Sequence, residues 1–112
     1  MASSVALPVT EAELQQLVTD AAELLGWSWV HWRPAMTTRG WRTPGSGPLA
    51  AGFPDLMLTR GRDQRVLLLE LKAAKGTVSA LQATVHETLR SAGLDVRVVR
   101  PRDIDALLEL LR

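Results

Sequence analysis

The chain has 112 residues, a formal net charge of +1, 46% hydrophobic and 22% charged residues, and no cysteine. That is enough chain for one domain with its own core and the composition of a soluble globular protein. It excludes a disulfide scaffold, a thiolate zinc site and a uniformly basic nucleic-acid coat, and a chain without cysteine suits the reducing cytoplasm. No apolar run is long enough to span a membrane, and the first residues lack the basic-then-apolar order of a secretion signal.

Residues 1–9 read as an N-terminal arm, and residues 10–112 as the domain. Thr10 opens a helix, with Glu13 three residues on completing a capping-box pattern. Leu14, Leu17, Val18, Ala21, Ala22, Leu24 and Leu25 supply its apolar stripe, and Gly26 sits where a helix C-cap glycine belongs. "WSWVHWR" (27–33) favours a strand, with Trp27, Trp29 and Trp32 as core or subunit-contact residues. His31 lies on it either as a structural histidine or as a group that approaches a phosphate.

Residues 34–52 hold most of the turn-forming residues and read as a long loop, a feature that is usually functional or disordered in a compact domain. Trp41 stands there between Arg39 and Arg42, so it either stacks on an unpaired base or pins the loop to the body. From Arg33 to Lys75 there are eight basic residues against Asp55, Asp63 and Glu70, whereas the first 25 residues carry four acids and no base. A basic middle segment either faces phosphates or forms a solvated surface.

"DLMLTR", "GRDQ" and "RVLLLELK" read as strand, tight turn and strand, a hairpin. "AAKGTV" leads to a helix over about Ser79–Ala92 that starts with its own capping-box pattern, Ser79 to Gln82. His86 reads as a surface residue of that helix. After Gly93, "LDVRVV" is a strand and "PRDIDALLELLR" an amphipathic closing helix, with Pro101 in its first turn. The order αβββαβα predicts an α/β fold: a small mixed sheet flanked by helices, the last strand parallel to "VLLLELK" through a right-handed crossover.

"VLLLELK" poses a chemical question. A nearly all-aliphatic run reads as a strand buried on both faces, yet it ends in Glu70 and Lys72, which point the same way. Buried charges are costly unless paired or bound to a metal. Asp55 begins the neighbouring strand, so the hairpin can bring it beside Glu70. Two carboxylates offer hard oxygen ligands for Mg²⁺ or Mn²⁺, and a lysine beside them can orient a water and offset transition-state charge. The alternatives are a polar residue at a strand boundary and a surface ion pair.

Gly52-Phe53-Pro54-Asp55, fourteen residues, then Glu70-Leu71-Lys72 resembles the PD-(D/E)XK nuclease superfamily. With "TEAELQ", the "GW…H" strand, "LELKAAKGTVSALQ" and "GLDVRVVRP" in order, residues 10 to 105 resemble a VRR-NUC domain. The resemblance implies a restriction-endonuclease-like fold and a metal-dependent DNA endonuclease. Asp55 and Glu70 match the metal-binding acids, with the Leu71 carbonyl completing the ion's shell. Lys72 matches the catalytic lysine, Gln82 a glutamine beside the site, and Glu11 an acid of the first helix that reaches toward it. Lys75, Arg39, Arg42 and Trp41 are candidate DNA contacts. The family cuts branched or flapped DNA, and its small stand-alone members resemble Holliday junction resolvases, which implies a homodimer. The other readings are a DNA-binding module whose nuclease site is unused, and a monomeric flap or duplex nuclease. Segment 34–52 is long and individual, so the resemblance implies nothing there about the shape of the substrate.

Overall fold

The computed structural model describes residues 10–32, 35–38, 40–42 and 45–112. Helix α1 spans Glu11–Leu24. The strands are β1 (Ser28–His31), β2 (Ala35–Thr37), β3 (Gly40–Arg42), β4 (Leu56–Arg60), β5 (Arg65–Leu71) and β6 (Asp95–Val99). Helix α2 is Ala80–Ser91 and α3 is Ile104–Leu111. The main sheet has four strands in the order β1-β4-β5-β6. The first three are antiparallel neighbours, and β6 joins β5 in parallel. This is the small mixed sheet flanked by helices that the αβββαβα pattern predicts.

From Leu67 to Leu71 strand β5 is buried on both faces, as its aliphatic run predicts. Leu67, Leu69 and Leu71 join a cluster with Leu14 and Val18 of α1 and Leu107 and Leu111 of α3. On the opposite face Leu68 packs with Val85 and Leu89 of α2 and Val96 of β6. One residue pair further along that second face comes Glu70, only 1% exposed.

The caps follow the sequence closely. Glu13 N–H donates to Thr10 Oγ1 at 3.1 Å. The returning bond differs from a full capping box: the Glu13 carboxylate accepts from the Thr10 hydroxyl at 2.9 Å rather than from its backbone. Ser79 and Gln82 form the complete reciprocal box. Gly26 and Gly93 follow α1 and α2 at φ +85° and +94°, the left-handed region that glycine adopts without strain. Gly52 is needed for closeness: a Cβ there would meet Val85 Cγ2 at 2.7 Å and the Leu81 carbonyl oxygen at 2.9 Å. The turn leading to Asp55 thus lies directly against α2.

Segment 34–52 is not the uniform loop expected. It contains a two-stranded antiparallel ribbon pairing Ala35 with Arg42 and Thr37 with Gly40, then a 3-10 turn at Ala50–Gly52. Strands of three residues are too short to show an alternating pattern. Arg39 and the expected arm 1–9 lie outside the described residues, and Trp41 and Arg42 are described only as β3 backbone.

Arg60 ends β4 at the opposite end of the sheet from Asp55. Its guanidinium lies 4.6 Å over the Trp27 ring, grips Asp63 at 3.0 and 2.9 Å, and donates to the carbonyls of Leu25, Leu111 and Arg112. Arg65 donates to Leu110 O at 2.8 Å. Carbonyls at helix C-termini attract cations, so these two arginines of the basic segment secure α1 and α3.

Candidate active site

The site forms where β4 begins and β5 ends. The register that pairs Leu56 with Leu69 brings Asp55 opposite Glu70. Asp55 Oδ2 accepts from Leu71 N–H at 3.0 Å, and Asp55 O accepts from Trp32 N–H at 3.1 Å. The acid is thereby fixed to both neighbouring strands. Buried Pro54 precedes it, and proline's restricted φ stiffens this entry into the strand.

Four side chains meet at Glu70. Gln82 Nε2 donates to Oε2 at 3.4 Å, His86 Nε2 stands 3.4 Å from Oε1, and Lys72 Nζ lies 3.9 Å from Oε2. Asp55 is the fourth. Burial first, and then Asp55 through hydrogen bonding and charge, push the Glu70 carboxyl from 4.5 up to about 9; Glu11 adds to the rise and Lys72 opposes it. Burial and the charge of Arg90 hold His86 below the usual histidine range, against the pull of Asp55.

On the other side of the sheet end, a cleft of about 450 Å³ is lined by Thr10, Glu11, Gln15, His31, Asp55 and Leu71 among others. Glu11, His31 and Leu71 therefore share one opening with Asp55. Lys75 is exposed on the loop after β5. Arg100 ties that loop down, donating to Ala73 O at 3.0 Å and Gly76 O at 2.5 Å.

The expected residues Asp55, Glu70, Leu71, Lys72, Gln82 and Glu11 thus gather at one sheet end. Gln82 makes the capping contact and also touches the Glu70 carboxyl. Its Oε1 accepts from Ser79 N–H at 3.0 Å, and its Nε2 reaches Glu70. His86 is a correction: it is 1% exposed and touches Glu70, not solvent. The signal was its spacing, four residues beyond Gln82 on the stripe that includes Val85 and Leu89.

Among the described residues, no group of three or more His, Cys, Asp or Glu side chains stands ready to bind a metal ion. Two carboxylates do converge, and burial, with Asp55 beside it, raises the Glu70 carboxyl far above the usual carboxylate range. Such a pair has hard oxygen donors and more negative charge than it can hold, which fits a divalent cation aided by backbone carbonyl and water ligands.

A mixed sheet whose adjacent central strands carry an acid and a Glu-x-Lys set at one end is the framework of PD-(D/E)XK nucleases. The chain belongs to the VRR-NUC domain family, whose profile matches residues 12–103. A solved structure titled "VRR_NUC domain" superposes with a TM-score of 0.66 at 24% identity, over 91% of this chain and 97% of that one. No curated protein matches. Membership implies a nuclease of the PD-(D/E)XK type, a DNA substrate and dependence on divalent metal in general. Among the described residues no helix is long and apolar enough to cross a membrane.

Proposed function

We propose that the protein is a Mg²⁺- or Mn²⁺-dependent endonuclease that cuts branched DNA, four-way junctions among them, as a homodimer. The observation that carries this reading is the convergence of Asp55, Glu70 and Lys72 at one sheet end, beside an open cleft.

Asp55, Glu70 and the Leu71 carbonyl would hold the ion, and a bound divalent cation supplies Lewis acidity toward a phosphoryl oxygen. Lys72 sits with its ammonium beside Glu70 and its side chain 14% exposed. It orients the attacking water and offsets the charge that builds on the phosphorane-like transition state. Gln82 holds one Glu70 oxygen in place. Glu11 adds a carboxylate to the cleft wall, and Lys75, Arg39 and Arg42 bind DNA phosphates, with Trp41 stacking on an unpaired base.

Resolving a four-way junction needs two symmetric cuts, and a C2 dimer supplies two sites related by that symmetry. Strand β1 lies at the edge of the main sheet, with Trp29 38% and Val30 40% exposed, which supports it as the contact. A cytoplasmic location is supported by the absence of cysteine.

The test is cleavage of labelled flap, splayed, duplex and four-way DNAs with Mg²⁺ or Mn²⁺. Paired, near-symmetric cuts in the four-way junction are expected. Preference for flaps or linear duplex by a monomer would remove the junction assignment, and no cleavage of any substrate would remove the nuclease reading.

A further inference from the structure

The face that α2 turns to the sheet carries Gln82, Val85, His86 and Leu89, the i, i+3, i+4 and i+7 positions of one helical stripe. Val85 and Leu89 are apolar and join the cluster with Leu68 and Val96. Gln82 and His86 are polar, and both end on Glu70, one on each carboxylate oxygen. An apolar side chain would fill position 86 with no polar group to desolvate, so a histidine side chain only 2% exposed calls for a reason. Glu70 is the hydrogen-bonding group it meets.

We propose that His86 is a positioning residue for Glu70, donating Nε2–H to Oε1 while Gln82 donates to Oε2, so that the carboxylate is presented to a divalent cation in one orientation. This rests on the metal-site reading above.

The terminal torsion of a glutamate is broad and roughly two-fold, so a lone carboxylate turns freely. A donor on each oxygen stops that rotation. A carboxylate offers about four lone-pair positions, so two donors still leave acceptor capacity for an ion. The donors are also well anchored. Both belong to the same rigid helix, and that helix is pressed against Gly52, three residues before Asp55, at a separation too small for a Cβ. The other metal-binding acid is thus registered to the same helix that orients Glu70. At 3.4 Å the two contacts are long for hydrogen bonds, and an ionised carboxylate draws such donors to about 2.7–2.9 Å.

The test is Mn²⁺ binding by calorimetry without DNA, on wild type, His86→Leu, His86→Gln and Asp55→Asn. Leucine keeps the packing and removes the donor, whereas glutamine keeps an N–H at similar reach. Loss of a group that orients a metal ligand costs roughly 10–100-fold in affinity. His86→Leu should therefore weaken Mn²⁺ by at least about tenfold, and His86→Gln should recover most of that loss. Wild-type affinity in the leucine variant, or equal loss in both variants, overturns the proposal. Should the leucine variant not fold, the wild-type ring decides. Its ¹⁵N resonances should report the Nε2–H tautomer and move on saturation with Mg²⁺, and an Nδ1–H tautomer or unmoved resonances overturn the proposal. Asp55→Asn separates the two levels: if it binds Mn²⁺ like wild type, the metal-site reading itself fails, whatever His86 does.

Discussion

Replacing Glu70 with glutamine should stabilise the metal-free protein, by an amount that grows with pH. The carboxyl is pushed from 4.5 to about 9 in the fold. Between those values the unfolded chain has released its proton while the native state keeps it, so the unfolded state binds one proton fewer. Stability then falls by about 1.4 kcal/mol per pH unit. The contribution is neutral below the unfolded value and most adverse as pH reaches about 9. From the unfolded value to pH 7 the loss comes to roughly 3 kcal/mol, which relaxation of the surrounding polar groups around the buried acid reduces to about 2 kcal/mol. Glu70→Gln carries no such pH-dependent penalty, because its side chain is neutral throughout. In EDTA at pH 7 the variant should melt roughly 5–10 °C above wild type, with little difference at about pH 5. Saturating Mg²⁺ should reverse the order, because the ion stabilises the ionised acid of wild type and binds the variant weakly. Parallel Tm-versus-pH curves for the two proteins would refute the reasoning, as would equal stabilisation of both by Mg²⁺.

Asp55→Ala should abolish cleavage while leaving DNA retention on a gel shift near wild type. Lys72→Ala should keep Mn²⁺ affinity, measured by calorimetry, and lose on the order of 10²–10³ in kcat, the size expected for a group acting on transition-state charge. Gly52→Ala should cost about 1–3 kcal/mol in chemical denaturation, because its Cβ would meet Val85 Cγ2 at 2.7 Å; it should also weaken Mn²⁺ binding by moving α2 against Asp55. Changing Arg39 and Arg42 together to alanine should flatten the salt dependence of DNA binding, whereas Trp41→Ala should lower affinity without changing that slope.

The sheet was legible because its signals are local. Strand β5 is one aliphatic run, and both main helices carry a capping side chain at their first turn and a glycine after their last. The ribbon β2–β3 was not, since three residues give no period to read. Nor was the use of Arg60 and Arg65. Counted along the sequence they belong to a basic segment, but Arg60 is 4% exposed and satisfied by carbonyls from residues 25, 111 and 112. Such contacts are set by where helices end in space, which no short window of sequence contains.

The site divides along the same line. Asp55, Glu70 and Lys72 were legible because a hairpin fixes their spacing: the register that pairs Leu56 with Leu69 is enough to set the acids side by side. His86 required knowing which face of α2 meets the sheet. Read alone, "ATVHETLR" is an exposed helix containing a histidine. Once Val85 and Leu89 are turned inward with Leu68, position 86 has no path to solvent, and a polar group there must find a partner or be costly. Glu70 is in the same position from the other side, a carboxyl at the end of a buried strand. Each removes part of the other's desolvation problem, and Gln82 meets the second oxygen. A buried acid on a strand therefore predicts polar residues on the helix that covers it. In this chain, two of the four positions on that helix face answer to it.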